Sequence, residues 1–166
     1  LDLPFAIRPN VTIPTGAYNM DEWMFTFNTS PGKKFFQRVT WQPNEFYGGR
    51  RQSVSYAVGA RATSRLSSEL QYNRNDVKMP WGNFLVNLSS LRVDYTFSPR
   101  MTIRSLTQYN TSTHELSNNI RFNFIYRPGS DIYIVYNDLS QTGLPADIFG
   151  RKDRQFVVKM TYLLQR

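Results

Sequence analysis

The chain has 166 residues and a formal net charge of +8, and it is 40% hydrophobic and 15% aromatic, with one histidine and no cysteine. A mean hydropathy of -0.47, with no run near the ~18 apolar residues a helical span needs, excludes a helical membrane protein. The missing thiols rule out a disulfide framework and a thiolate metal site, and one histidine gives a transition metal too few ligands.

Residues 1–17 contain Pro4, Pro9 and Pro14. Proline removes ladder donors, so this segment is expected to be an extended arm or an edge strand, ahead of a single domain over 18–166. From Asn19 to Ser30, Trp23, Phe25 and Phe27 alternate with Met24, Thr26 and Asn28, the two-residue period of a strand, and Pro31-Gly32 turns the chain. Lys34 to Phe46 sets Phe35, Val39 and Trp41 against Phe36, Arg38, Thr40 and Gln42, with a tight connection at Tyr47-Gly48-Gly49. Val54, Tyr56, Val58 and Ala60 then oppose Arg51, Ser53, Ser55, Gly59 and Arg61, and Leu66, Leu70 and Tyr72 oppose Ser67, Glu69, Gln71 and Asn73. Asp76 to Gly82 reads as a longer loop.

The apolar set changes parity in the next run: Phe84, Val86 and Leu88 are even, whereas Leu91, Val93 and Tyr95 are odd. A β-bulge near Ser89-Ser90 is the expected adjustment. After Ser98-Pro99-Arg100 come Met101, Ile103 and Tyr109. Ile120, Phe122, Phe124 and Tyr126 then alternate with Asn119, Arg121 and Asn123, and Pro128-Gly129 turns into Asp131 to Asn137. A long loop over Leu139 to Lys152 leads to a last strand over Asp153 to Leu164.

About nine strands result, with short turns near residues 31, 63, 99 and 128 and the other connections near 48, 79, 112 and 146. This alternation, one apolar face and one charged face together predict an all-β, antiparallel up-and-down transmembrane β-barrel of about nine or ten strands. Its apolar face meets lipid. Trp23, Phe27, Trp41, Tyr72, Tyr95, Tyr109, Phe124, Tyr126 and Tyr162 are the candidates for two interfacial aromatic belts. The lumen candidates are Arg38, Arg51, Arg61, Glu69, Arg92, Asp94, Arg104, Arg121 and Lys159. They admit two readings: a paired network filling a narrow interior, which small barrels favour, or an anion-leaning pore. The basic residues form no stripe, so nucleic acid is not an expected partner.

The segments WQPNEFYGGRRQS, LRVDYTFSPRMTIRSLTQYN, LSNNIRFNFIYRPGSDIYIVYND and VVKMTYLLQR resemble the C-terminal outer-membrane β-barrel domain of the bacterial family that also carries an N-terminal carbohydrate-binding family-nine-like domain. The likeness spans roughly residues 12–166 and includes a Lys-x-x-Tyr ending at Lys159 and Tyr162. It implies a bacterial outer-membrane location, with membrane lipid and lipopolysaccharide as partners. The sugar-binding module lies outside this chain, so no carbohydrate activity is carried onto any residue here.

Catalytic chemistry finds little support. His114 beside Glu115, with Ser112 and Ser117 nearby, lacks the fixed nucleophile and orienting group a hydrolase needs. Asp147 and Asp153 match no calcium loop. The expectation is a non-enzymatic membrane anchor or narrow passive conduit without cofactor; the alternative is a soluble β-barrel that binds a small ligand on an inward aromatic face. Nine strands do not close a bacterial barrel, which has an even number. The first and last strands are therefore expected to leave a ring that needs further strands or subunits.

Overall fold

The computed structural model describes residues 1–142 and 150–164. A two-stranded hairpin, β1 (Phe5–Arg8) and β2 (Val11–Ile13), precedes β3 (Phe25–Asn28), β4 (Phe35–Phe46), β5 (Gly49–Arg61), β6 (Leu66–Met79), β7 (Gly82–Ser98), β8 (Met101–Asn110), β9 (Glu115–Arg127), β10 (Ser130–Gln141) and β11 (Gly150–Thr161). Strands β3 to β11 form one antiparallel up-and-down sheet in chain order, and no helix occurs among the described residues. The sheet is open. Its edges are β3 and β11, and neither β3 nor the β1–β2 hairpin pairs with β11.

The ladders assign each strand residue to a face. From β5 to β7 the register is unbroken, Val58 opposing Leu70 and Leu70 opposing Leu91. It continues from Leu91 through Thr107, Asn118 and Asp138 to Arg154. One face carries Phe25, Val39, Trp41, Val54, Tyr56, Leu70, Tyr72, Val93, Tyr95, Ile103, Phe122, Ile134 and Val158; the other carries most of the amides and arginines. Exposure is opposite to that of a soluble core. On β5, Val54 and Tyr56 are exposed while Ser53, Ser55 and Ala57 between them are half-buried; on β6, Leu70 and Tyr72 are exposed and Gln71 and Asn73 half-buried.

The apolar face is a band with slanted margins. Its margin at the Tyr47 end runs from Gln52 on β5 through Arg74 on β6 to Asp138 on β10 and Arg154 on β11. Arg154, however, lies in the transverse row of Val58, six residues along β5 from Gln52. Six residues of drop across six strands, at about 3.4 Å per residue and 4.8 Å per strand, is a slope of roughly 35°. The opposite margin slants the same way, from Phe35 on β4 to Met160 and Tyr162 at the end of β11.

Several expectations change. Asp76 to Met79 is strand, not loop: β6 runs to Met79, β7 starts at Gly82, and only Pro80 and Trp81 connect them. The connections Tyr47-Gly48 and Pro80-Trp81 are as short as Pro99-Arg100 and Pro128-Gly129, so the expected alternation of short turns and long loops does not hold. Tyr47 and Gly48 both have positive φ, 47° and 71°, the backbone a two-residue hairpin turn requires. No bulge occurs at Ser89-Ser90; the irregularity lies between Thr96 and Ser98. The Asn19–Ser30 strand shrinks to Phe25–Asn28, and the last hairpin extends to Gln141 and Gly150. Asp147, considered for calcium, lies outside the described residues.

The parity change in β7 has a packing cause. With no bulge, Val77, Met79, Phe84, Val86 and Leu88 all point to the polar face near the Tyr47 end, where the β1–β2 hairpin lies on it. Val11, Val77 and Met79 form the buried cluster there, with Ile7, Phe46, Tyr47 and Phe84 against it. The three N-terminal prolines sit just outside the two short strands or in the turn between them, where no ladder donor is needed. Gly82 permits the contact. Its φ is +142°, and a Cβ there would stand 2.8 Å from Val11 Cγ2.

Candidate functional site

All nine lumen candidates fall on the polar face: Arg38 on β4, Arg51 and Arg61 on β5, Glu69 on β6, Arg92 and Asp94 on β7, Arg104 on β8, Arg121 on β9 and Lys159 on β11. The belt candidates Phe27, Trp41, Tyr72, Tyr95, Tyr109 and Phe124 fall on the other face; Trp23 and Tyr162 continue its alternation just beyond the ladders, and Tyr126 does so at the register shift between Ile125 and Arg127 in β9. Tyr56, Tyr72 and Tyr109 share one transverse row. Near the other margin Tyr95 packs edge-on to Phe97 at 4.6 Å.

Amide and hydroxyl ladders dominate the polar face. Ser53 Oγ donates to Asn75 Oδ1 at 2.6 Å, and Ser55 donates to Asn73 on the next rung. Asn119 donates to Asn137, whose Nδ2 donates to Gln155 Oε1 at 3.2 Å. At Gly59 the ring of Phe36 occupies the space a side chain would fill, and the Arg61 guanidinium lies 5.9 Å from that ring. The small residues of β5 therefore admit a neighbour's ring rather than leave open space. Arg51 packs 5.0 Å from the Phe46 ring, its Nε buried without a hydrogen bond.

The expected network of paired charges is mostly absent. Arg104 Nε stands 3.6 Å from Asp94 Oδ1, whereas Glu69 faces Arg92 across the ladder without an ion pair among the described residues. The other ion pairs lie outside the middle of this face. Arg74–Asp76 at 3.7 Å and Arg154–Asp138 at 3.5 Å sit at the margin of the apolar band, and Lys152–Glu115 at 2.7 Å ties β11 to the start of β9.

Mid-sheet on the polar face, Arg92, Asp94, Arg104, Leu106, Asn119 and Arg121 line a groove of about 540 Å³. Arg104 is directly opposite Arg121, a like-charge cross-strand pair that a sheet ordinarily avoids. Leu106 and Asn119 were not among the candidates; they were identifiable only from the register that sets them beside Arg92 and Arg121. The covering role of Ile7 and Val11 was missed as well. Its sequence signal is the joint parity switch of Val77-Met79 and Phe84-Val86-Leu88 on both sides of Pro80-Trp81.

His114 has a positive φ of 54° and acts through its backbone: its carbonyl accepts from Thr142 N at 2.6 Å and from Thr142 Oγ1 at 3.0 Å. Its imidazole has no hydrogen bond to Ser112 or Ser117. Among the described residues no cluster of His, Asp or Glu is arranged to hold a metal ion.

The fold and its two faces define an open, two-faced antiparallel meander whose apolar side is the more exposed. No protein-family model, no curated protein and no solved structure matches the chain. The likeness to the outer-membrane domain accordingly rests on the segments quoted for it.

Proposed function

We propose that the chain is an integral β-barrel domain of the bacterial outer membrane, non-enzymatic, acting as a membrane anchor or narrow passive conduit. Its apolar band meets lipid and lipopolysaccharide, its polar face lines the interior, and further strands or subunits complete the ring. The slanted apolar band carries this reading. Strands that cross a bilayer in a barrel tilt by 35–45°, so a lipid layer must intersect the ladder rows obliquely, and both band margins slant in the same sense, by roughly 35° at the Tyr47 end and roughly 20–30° at the other. A soluble sheet has no reason to displace both margins of its apolar residues in the same sense.

Surface area supports the same reading. The accessible surface is 11922 Å², whereas a compact monomer of 19.4 kDa exposes about 8,500 Å² by the usual scaling. Four hydrophobic residues, Val11, Ile13, Val77 and Met79, are buried among the described residues. Aqueous solvent alone gives such a sheet little to hold its shape, because the hydrophobic effect stabilises only what it removes from water.

The test is fractionation of the protein from the cells that make it. It is expected to stay with membranes through alkaline carbonate and urea washes and to require detergent for extraction. Recovery as a monomer in the soluble fraction without detergent would overturn the proposal in favour of a soluble ligand-binding protein.

A further inference from the structure

We propose that the groove on the polar face is a binding site for a small divalent oxyanion of the phosphate or sulfate type. As a waypoint along a conduit, the site rests on the membrane reading above.

Three guanidinium groups come from adjacent strands, Arg92 from β7, Arg104 from β8 and Arg121 from β9, with Asp94 the one carboxylate among the lining residues. Arg104 and Arg121 share a row and Arg92 is offset from it by two residues, so at about 4.8 Å between strands and 3.4 Å per residue their Cβ atoms span roughly 12 Å, within the reach of arginine side chains toward one tetrahedral anion. The existing contacts leave most of their donors free. Arg104 meets Asp94 only through Nε, at 3.6 Å, beyond hydrogen-bond length. Arg121 donates Nε to Asn119 Oδ1 at 3.0 Å, which holds the side chain and leaves its terminal nitrogens available. The Arg92 side chain makes no hydrogen bond or ion pair among the described residues.

This arrangement runs against what stability alone selects. Like charges directly opposed on neighbouring strands destabilise a sheet, and the Glu69 carboxylate across from Arg92 is not used for pairing. An anion held between the guanidinium forks relieves the repulsion and meets the paired N–H geometry that arginine offers to oxyanions. Leu106 provides an apolar floor beside the charges. Asp94 opposes binding by its own charge, which sets a moderate affinity suited to passage rather than retention.

The experiment is calorimetric titration of the full chain, folded in detergent at low ionic strength, with inorganic phosphate. Binding is expected, weakened tenfold or more in R92Q/R104Q/R121Q and changed less than twofold in R50Q/R74Q/K78Q, which removes the same charge from the opposite face. Asp94→Asn is expected to tighten binding severalfold. Absence of phosphate binding in the unaltered protein, or equal weakening by the two triple variants, overturns the site, the latter by reducing it to net charge. If the groove triple fails to fold by circular dichroism, the single variant Arg92→Gln decides: its side chain is unpartnered, and a loss below twofold overturns the site. Membrane fractionation is scored separately. A protein that stays with membranes and binds no phosphate refutes the site alone, whereas one that binds phosphate in this pattern and never joins membranes refutes the membrane reading alone.

Discussion

Val157 and Val158 are adjacent, chemically identical and both exposed, yet they lie on opposite faces of β11. Val158 shares a row with Ile134, Phe122, Ile103 and Tyr95, midway between Arg154 at one margin of the band and Tyr162 at the other. Val157 shares a row with Val135, Arg121 and Arg104 on the polar face. In a bilayer, Val158→Arg places a charge near mid-membrane at a cost of about 2 to 4 kcal/mol. Val157→Arg meets the interior instead. Its nearest like charges are Lys159, two residues along the same face of β11 at roughly 7 Å, and Arg121, two strands away at roughly 10 Å, whose repulsion in water sums to about 1 kcal/mol. The expected difference is therefore at least ~1 kcal/mol, with Val158→Arg the more damaging. The assay is urea unfolding of vesicle-inserted protein followed by tryptophan fluorescence. For a sheet standing in water both substitutions are surface changes within about 0.5 kcal/mol. Equal effects, or a larger loss for Val157→Arg, would refute the assignment of faces.

Gly82→Ala is expected to displace the β1–β2 hairpin, because the new methyl meets Val11 at 2.8 Å and the φ of +142° strains any side chain. Limited proteolysis should then cut within residues 1–17 while the nine-stranded sheet remains intact; resistance equal to the unaltered protein would remove the packing role given to Val11 and Gly82. The chain has no cysteine, so single cysteines report without background. In membranes, Gln71→Cys is expected to react with a small water-soluble maleimide at least tenfold faster than Leu70→Cys, and comparable rates would contradict the outward apolar face.

How much was legible in the sequence depended on whether a feature was local. The two-residue period placed all nine charged candidates on one face, and the aromatic candidates on or in line with the other, because strand geometry alone sets that alternation. Arg92, Asp94, Arg104 and Arg121 needed no tertiary information to be grouped. What failed depended on contacts distant in the chain. Asp76 and Lys78 looked like loop residues, since charge sat where the apolar face was expected; the strand continues there because Val77 and Met79 are covered by Val11, some seventy residues earlier. The bulge proposed at Ser89-Ser90 failed for the same reason: the change of parity reflects what covers each face, not a slip in the ladder. Ion pairing was illegible because side-chain reach and competition, rather than spacing, decide whether Glu69 meets Arg92.

The open edges bear directly on the membrane reading. Strand β11 is twelve residues long and pairs only with β10, so on its outer side about half of its backbone N–H and C=O groups, roughly six of each, have no strand partner. In hydrocarbon each unsatisfied group costs several kcal/mol, and their sum exceeds the 5–15 kcal/mol that holds a typical domain together. A membrane-spanning form therefore has that edge covered. The other edge cannot match it alone. Strand β3 is four residues long, and the segment before it reaches β4 only through Glu45 N to Asp21 O at 3.1 Å and Trp23 N to Asn44 Oδ1 at 2.9 Å. Direct closure of β3 on β11 would leave most of the longer strand unpaired, so the membrane reading requires additional strands between them. The test is oxidative cross-linking in membranes with Phe27→Cys, on the outward face of β3, and a second cysteine placed in turn at Phe156, Val158 and Met160 on the same face of β11. No intramolecular disulfide is expected at any of the three positions, because intervening strands hold the edges well beyond the roughly 7 Å limit between Cα atoms. Rapid cross-linking at one position would mean that the nine strands close on themselves and that no further strand is needed.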